Sequence, residues 1–228
     1  MNLIYRPCPS DLLIRLFGER LSFDTGPVVA GGAARLLWFN ELAPLVKYTQ
    51  SRSVAKSDID VFVYNGFRQF ETTRDYIEQQ YNRRKTQPRV TRTGFDIVSL
   101  ASDIPTSRFE TPNAISYNNC ELDHRYYTIQ LIKQSRQGLL GLFDSFDLVN
   151  CHFATDGRTV VATSEAVAAW QENKLVRNPG CQQDVKLDRM LKYLTLGLMP
   201  DRTLWTSIMK KTVEARTAGG FPDADYEF

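Results

Sequence analysis

The sequence predicts an α+β protein in which a mixed β-sheet is flanked by helices and followed by a small C-terminal helical part. Short strand-like runs occupy much of residues 95–163, whereas the residues after Ser164 have helical spacing almost to the end. The 228 residues, 43% of them hydrophobic, can form the core of one large domain. We therefore predict a sheet domain over residues 1–163, a helical region over residues 164–218 and a flexible acidic tail over residues 219–228.

The N-terminal part is predicted to contain two helices and two strands. Ser10 is placed to cap a helix over residues 10–17, whose leucines form an apolar face. A short strand over residues 27–30 leads into a helix over residues 33–39, and a hydrophobic strand begins at Asp58. We expect the helix over residues 10–17 to pack against the rest of the domain and to take no part in the chemistry.

An amphipathic helix is predicted next, over residues 67–84. Its inner face would contain residues at helical spacing, namely Phe70, Tyr76, Ile77 and Tyr81. A basic run follows, formed by Arg83, Arg84, Lys85, Arg89 and Arg92. Such a run suits contacts with a nucleic-acid backbone, and it also suits a solvated helix end, so both interpretations stay open.

A series of short strands is predicted in the middle of the chain. The strand-like runs are residues 95–100, 114–117, 126–133, 146–153 and 159–163. Asp156-Gly157 lies between the last two runs and is a strong hairpin signal. Ser164 is then placed to cap the next helix, which ends before the chain break at Asn178-Pro179-Gly180.

Two further helices are predicted after that break, at residues 183–196 and 201–215, with Gly197 ending the first. The apolar residues expected on the buried face of the first helix are Leu187, Met190, Leu191 and Leu194. Its basic residues occur at three-residue steps, at Lys186, Arg189 and Lys192. One side of this helix can therefore face anions.

Bulk composition narrows the class of protein. The net charge is only +2, so contact with a nucleic acid would have to come from local patches. The four cysteines are scattered without a Cys-x-x-Cys pair, which argues against structural zinc and favours free thiols in a reducing cytoplasm. The sequence has neither a signal-peptide pattern nor an apolar run of membrane-spanning length, so we expect a cytoplasmic protein without a membrane partner.

The strand that begins at residue 58 carries an Asp-x-Asp pattern. Side chains alternate between the faces of a strand, so Asp58 and Asp60 project together while Ile59 and Val61 face the other way. Two carboxylates in one small space repel each other unless one is protonated or a divalent cation lies between them. A hard cation with oxygen ligands is the usual solution, and we predict Mg²⁺, with Mn²⁺ as a substitute.

A Gly-Gly pair, Gly31-Gly32, separates the predicted strand and helix upstream of this pattern. Backbone N–H groups at a helix start are unpaired, and glycine lets a triphosphate approach them because it has no Cβ. The Gly-Gly pair therefore predicts a phosphate-binding site. Gly32 and Asp58 are 26 positions apart, and residues 41–56 between them have the composition of a surface insertion.

In this order of strand, Gly-Gly, helix and Asp-x-Asp strand, the sequence resembles the nucleotidyltransferase superfamily of DNA polymerase beta, poly(A) polymerases and CCA-adding enzymes. Over residues 28–197 it is similar to small nucleotidyltransferase-like proteins of phages and large viruses. The resemblance implies a nucleotidyltransferase-type sheet and makes residues 1–163 a catalytic domain. The long spacing between Gly32 and Asp58 departs from the family pattern.

The resemblance also implies a third carboxylate and a set of phosphate-binding residues. Asp147 lies in an apolar run, where an unpaired charge is costly, and is preferred to Asp96. Arg35 matches the arginine often found after Gly-Gly in such enzymes, while Arg189 and Lys192 match a basic helix that contacts nucleotide phosphates. The alternatives are that Asp147 caps a turn and that the basic helix is simply exposed to water.

These features together predict a Mg²⁺-dependent nucleotidyltransferase that moves a nucleoside monophosphate from an NTP to an acceptor hydroxyl, with an RNA 3′ end as the first acceptor considered. The predicted catalytic metal ligands are Asp58, Asp60 and Asp147, and the predicted substrate-binding residues are Gly31, Gly32, Arg35, Arg189 and Lys192. The alternative is a non-catalytic binding or structural protein that keeps the fold, such as a phage accessory factor or virion component. The insertion before Asp58 favours this alternative.

Overall fold

The computed structural model describes residues 1–39, 58–85, 107–122 and 125–217. Two compact units are present, and the chain passes between them more than once. The sheet unit comprises Ile4–Leu142 and Phe153–Ala162. The helical unit comprises Met1–Leu3, Phe143–His152 and Thr163–Phe228.

The described residues form seven α-helices and ten strands. The helices are α1 Asp11–Phe17, α2 Gly32–Trp38, α3 Gly66–Lys85, α4 Gly138–Ser145, α5 Ser164–Gln171, α6 Leu187–Leu194 and α7 Arg202–Thr217. The strands are β1 Leu3–Pro7, β2 Val28–Ala30, β3 Ile59–Phe62, β4 Ser107–Glu110, β5 Ala114–Leu122, β6 Arg125–Ile132, β7 Phe153–Thr155, β8 Thr159–Thr163, β9 Lys174–Leu175 and β10 Met199–Pro200. A short 3-10 helix spans Val149–Cys151.

The large sheet has the strand order β1-β8-β7-β2-β3-β6-β5-β4. It is mixed, because β3 pairs with β6 in parallel while β3 and β2 are antiparallel. Within the large sheet, the pairs β2–β7, β7–β8, β5–β6 and β4–β5 are also antiparallel. The expectation of a mixed α+β fold, with a large sheet flanked by helices, is confirmed.

The centre of the sheet unit is apolar. Val29, Val61 and Leu131, which face one another in register across β2, β3 and β6, have no solvent exposure. Helix α1 begins as predicted, since the Ser10 hydroxyl accepts a hydrogen bond from the Leu13 amide at 3.3 Å. Local capping chemistry and strand burial thus agree with the sequence pattern in this unit.

The β7–β8 hairpin forms where Asp156-Gly157 predicts it. Gly157 has a φ of +87°, a left-handed conformation that favours glycine. The Asp156 carboxylate accepts hydrogen bonds from the amides of Arg158 and Thr159 at 2.9 and 2.7 Å. The turn is therefore determined by these two residues.

The helical unit has its own hydrophobic core. Its buried members are Leu148, Cys151, Leu175, Val185, Met190, Leu198, Leu204 and Ile208. Beside this core, the buried Asn150 side chain donates to the Lys174 carbonyl at 2.8 Å and accepts from the Val176 amide at 2.9 Å. The Asn150 side chain therefore hydrogen-bonds to one backbone carbonyl and one backbone amide of the neighbouring segment.

Residues 146–153 do not form the single strand that the sequence predicts. Leu148 makes one isolated bridge to Arg177, the 3-10 helix follows, and only β7 continues as a strand. The Val149 amide donates to the Val176 carbonyl at 3.0 Å, and the Asn178 amide donates to the Asp147 carbonyl at 2.9 Å. The Asn150 side chain adds its two bonds to the same neighbouring segment, so the apolar run is buried without a continuous ladder. The strand prediction for this segment is wrong.

Helix α6 is shorter than predicted, and its buried face differs. Met190 is fully buried and Leu194 packs against the core, but Leu187 and Leu191 are 41% and 50% exposed. Leu187 and Leu191 are four positions apart, so they lie on the same side of α6, and that side faces away from the core. Helix α5 begins at Ser164 with Thr163, rather than Ser164, as its N-cap.

Several sequence features lie outside the described residues. These are the segment 41–56, the strand predicted at 95–100 with Asp96, and the acidic tail at 219–228. Helix α3 extends to Lys85 and so contains the first part of the basic run, but the side chains of that run are not described. Among the helices of the described residues, none combines the length and apolarity needed to cross a membrane.

A buried histidine makes the stability of the helical unit depend on pH. The His152 ring is stacked on Phe143, with centroids 5.2 Å apart, and burial lowers its pKa to about 4 although Asp144 and Glu165 attract the proton. Histidine in an unfolded chain titrates at about 6.5. Between these pH values the unfolded state binds more protons, so the free energy of unfolding should fall as the pH decreases, by up to about 1.4 kcal/mol per unit.

Urea unfolding of the wild type and of His152→Phe, measured from pH 7 to pH 4, checks this expectation. The substitution keeps an aromatic ring against Phe143 and removes the titrating group. Its unfolding free energy should therefore change less steeply over this range. An equally steep decrease in both proteins would show that His152 is not responsible.

Candidate functional site

Strand pairing brings the Gly-Gly and Asp-x-Asp elements together in the sheet unit. Asp60 faces Ala30 on β2 and Gln130 on β6. Gly31 follows Ala30 directly, and a Cβ built on it would lie 3.9 Å from Asp60 Oδ2. The separation of 26 positions between Gly32 and Asp58 therefore does not separate the two elements in space.

Asp58 directly precedes β3, and Asp60 is the second residue of this strand. Asp58 is exposed and Asp60 is half-buried, whereas Ile59 and Val61 are 2% and 0% exposed, as strand alternation predicts. The Gln130 side chain donates a hydrogen bond to Asp58 Oδ2 at 3.0 Å. Two acidic side chains and an amide thus form one polar corner, which we call the acidic corner.

Gln130 is a member of the acidic corner that the sequence argument did not select. It is a polar residue between Ile129 and Leu131, both buried, on a central strand. A polar side chain in such a position needs a hydrogen-bonding partner, and that requirement is the signal that identifies it.

Gly31 makes a turn between β2 and α2 with a φ of +75°. Its amide donates to the Phe153 carbonyl at 2.8 Å, so this N–H is used within the sheet unit and does not point outward. Its carbonyl accepts from the Arg35 amide at 3.0 Å and starts α2. Gly32 is the first residue of α2, and Arg35 lies half-buried one turn later.

Among the described residues, no group of three or more His, Cys, Asp or Glu side chains is placed to hold a metal ion. Within the described part of the chain, the carboxylate oxygens of the acidic corner come from Asp58 and Asp60. The Mg²⁺ site and the substrate roles of Gly31, Gly32 and Arg35 stay predictions.

The other predicted site residues lie in the helical unit. Asp147 is 13% exposed in its side chain, and its Oδ2 lies 2.8 Å from Arg189 Nε. Arg189 also donates to Cys151 Sγ at 3.3 Å, and this sulfur is 3.0 Å from the Tyr193 hydroxyl. The ion pair offsets the charge of Asp147, so its partial burial is explained without a bound metal.

Burial keeps the neighbours of this ion pair neutral. It raises the pKa of the Cys151 thiol, although the Arg189 guanidinium opposes the shift. Burial also raises the pKa of the Tyr193 hydroxyl. Lys192 is exposed in the last turn of α6. The predicted roles of Asp147, Arg189 and Lys192 stay predictions.

Most of the chain matches the model of a known protein family. Residues 7–172, well over half of the 228-residue chain, match the model of the Gabija anti-defense 2 family. No curated protein sequence matches the chain.

This match corrects the family suggested by the motifs. The assignment to the nucleotidyltransferase superfamily and the prediction of a nucleotidyltransferase enzyme are wrong, because the matching family is an anti-defense family. The NTP and RNA partners came from that resemblance and lose their support with it. Gly-Gly and Asp-x-Asp are short patterns that a turn and a strand edge also produce, so their order alone did not identify a family.

Alanine at Gly31 should destabilise the protein, because a residue with a Cβ is strained at a φ of +75°. We expect a loss of about 1 kcal/mol in the free energy of unfolding. Gly32→Ala is the matched control, since Gly32 has helical geometry at the start of α2. Thermal and urea unfolding of both variants measure the difference, and equal stabilities would contradict a special requirement at Gly31.

Removal of Asp147 should leave the Arg189 guanidinium without its counter-charge. Asp147→Ala is therefore expected to lower the free energy of unfolding by about 1–3 kcal/mol. Lys192→Ala, on the exposed side of α6, should change it by less than about 0.5 kcal/mol. Urea unfolding at neutral pH tests the pair, and a neutral effect of Asp147→Ala would show that the ion pair does not stabilise the unit.

Proposed function

The chain belongs to the Gabija anti-defense 2 family, and from this membership we propose that it is a phage protein that antagonises the Gabija defence system by binding one of its proteins. The action is stoichiometric and takes place in the cytoplasm of the infected host. This proposal corresponds to the non-catalytic phage accessory factor that the sequence leaves as an alternative.

The observation that carries the proposal is the extent of the family match. The matched residues 7–172 contain the strands β2–β8 and the helices α1–α5. They include the acidic corner and Asp147, whereas Arg189 and Lys192 lie beyond them. The family relationship therefore concerns the framework of the sheet unit more than the helices that follow it.

The sheet unit offers exposed aromatic side chains that suit recognition of another protein. Phe67, at the start of α3, is 73% exposed, and Phe109, on the edge strand β4, is 61% exposed. Aromatic side chains are frequent anchors in protein interfaces because each buries a large apolar area with little loss of conformational freedom. We propose that these two residues contribute to contact with the Gabija protein.

Phe109 and its charged neighbours lie on opposite faces of β4, because side chains alternate along a strand. The neighbours Arg108 and Glu110 are joined at 2.7 Å, and Glu110 also pairs with Lys133 at 2.8 Å. A partner that covers Phe109 would find these charges already satisfied on the other face of the strand.

The proposal predicts rescue of infection. Bacteria that carry the Gabija system should form plaques with a sensitive phage when they express the chain, and the chain should co-purify with a Gabija protein. Phe67→Ala and Phe109→Ala should weaken this binding about tenfold or more, as loss of an interface anchor does. Thr72→Ala, at an exposed polar position of α3, is the control and should bind normally.

A second set of variants separates binding from turnover. Asp58→Asn combined with Asp60→Asn keeps the shapes of the side chains and removes both charges. If binding is sufficient, this variant should still co-purify with the Gabija protein and still rescue infection. Normal binding together with lost rescue would contradict the proposal.

A further inference from the structure

The chain crosses into or out of the helical unit at four positions, and three of these crossings involve one group of buried residues. Phe143 and His152 are the two ends of one segment of the unit, and Thr163 begins the next segment. The exposed fractions of these three residues are 0%, 2% and 0%. We call Phe143, His152 and Thr163 the junction cluster.

Direct contacts hold the junction cluster together. The His152 ring is stacked on Phe143, with centroids 5.2 Å apart. His152 Nδ1 lies 3.5 Å from the Thr163 hydroxyl oxygen, and the His152 carbonyl accepts a hydrogen bond from the Thr163 amide at 3.2 Å. The fourth crossing is adjacent in sequence to a residue that contacts this group, since the Ser164 amide donates to the Asn2 carbonyl at 2.9 Å. His152 therefore joins three of the four crossings directly.

The hydrogen bonds of the junction cluster suit a neutral imidazole. A neutral ring can carry its single proton on Nδ1, toward the Thr163 oxygen, and leave Nε2 without a proton. His152 Nε2 is buried and makes no hydrogen bond with a described residue. A protonated ring would have an N–H group at both nitrogens. Nε2 would then be a buried, charged donor without an acceptor, which is costly.

The nearest charged side chains do not reverse this preference. Burial lowers the pKa of His152 to about 4, and the attraction of the proton by Asp144 and Glu165 opposes only part of this shift. Asp144 belongs to α4 and Glu165 to the first turn of α5, and the Phe143 carbonyl also favours the charged ring. The amino group of Met1 is the positive charge near Glu165. The folded cluster therefore excludes the proton in spite of two acidic neighbours.

We propose that the junction cluster is an acid-sensitive release point, at which protonation of the His152 ring opens the helical unit while the large sheet stays folded. The charged ring leaves Phe143 in order to reach water. Helix α5 begins at this cluster, because the Thr163 hydroxyl oxygen is its N-cap and accepts from the Ala166 amide at 3.2 Å. Displacement of the ring therefore disturbs the start of α5, whereas the pairing of β2, β3 and β6 does not depend on it.

Proton linkage gives the size and the pH range of the effect. Histidine in an open state titrates at about 6.5, well above its pKa in the closed unit. Between pH 6.5 and pH 4 the open state binds more protons, so the ratio of open to closed molecules should rise up to about tenfold for each unit of pH decrease. Above this range the ratio should not depend on His152.

The ion pair between Asp184 and Lys211 responds in a different range. The Lys211 hydrogen bond lowers the pKa of Asp184, so this pair is stabilising at higher pH and is lost only as the pH falls below the ordinary aspartate value of about 3.9. Opening between pH 6.5 and pH 4.5 is therefore a property of His152. It does not depend on antagonism of Gabija, and its failure would leave the proposed function unaffected.

Hydrogen exchange followed by mass spectrometry tests this opening in the full chain. Samples are labelled from pH 7 to pH 4.5, with times scaled to the intrinsic exchange rate at each pH. The amides of α5 and α6 should lose protection by up to about tenfold per unit below pH 6.5, while those of β2, β3 and β6 keep theirs.

Three variants assign the change. His152→Phe keeps an aromatic ring against Phe143 and cannot be protonated, so the pH dependence in α5 and α6 should disappear. His152→Gln is a second variant without a titrating group, for use if the first does not fold. Asp184→Asn is the control, which should change protection by the same factor at each pH and leave the pH dependence intact.

Three results would overturn the proposal. Unchanged protection of α5 and α6 down to pH 4.5 would show that no release occurs. An equal loss of protection in β2, β3 and β6 would show that acid unfolds both units together. A pH dependence that persists in the folded variants without His152 would assign the opening to other groups.

Discussion

The position of β3 between β2 and β6 is the constraint on which the rest of the sheet unit depends. Val61 lies between Val29 and Leu131 with no solvent exposure, and each of the three strands contributes one buried residue to this row. Because side chains alternate along a strand, a shift by one residue would exchange the buried valine for Asp60. The cost of burying an unpaired carboxylate holds the register in place.

The register also determines the acidic corner. Once Asp60 faces Ala30, the next residue of β2 must be near that carboxylate, and the glycine at this position makes a turn with a positive φ. The corner can therefore be explained by strand pairing alone, without reference to a nucleotide. This explains how a sequence can contain both motifs and still belong to a family named for countering Gabija.

The helical unit has no large sheet within its described residues, and side-chain hydrogen bonds to the backbone arrange the segments around its core. Asn150 and Asn178 are 1% and 2% exposed, and both use their amide groups on backbone atoms. Asn178 donates to the Phe143 and Phe146 carbonyls at 2.9 and 2.7 Å. The Asp147–Arg189 pair then attaches α6 to the same segment. Such polar contacts specify one arrangement because each unsatisfied group would be costly.

The sequence by itself determined the elements whose causes are local. The Ser10 cap, the hairpin at Asp156-Gly157 and the alternation of β3 each depend on neighbouring residues, and all three are present in the structure. Tertiary structure decided the rest. A few backbone bonds and the Asn150 side chain hold the segment that was predicted to be a strand, and the position of the core left Leu187 and Leu191 exposed. Arg189 forms an ion pair with Asp147, which lies 42 positions earlier in the sequence. These outcomes depend on residues that meet only after folding, and periodicity along the chain contains no information about such partners.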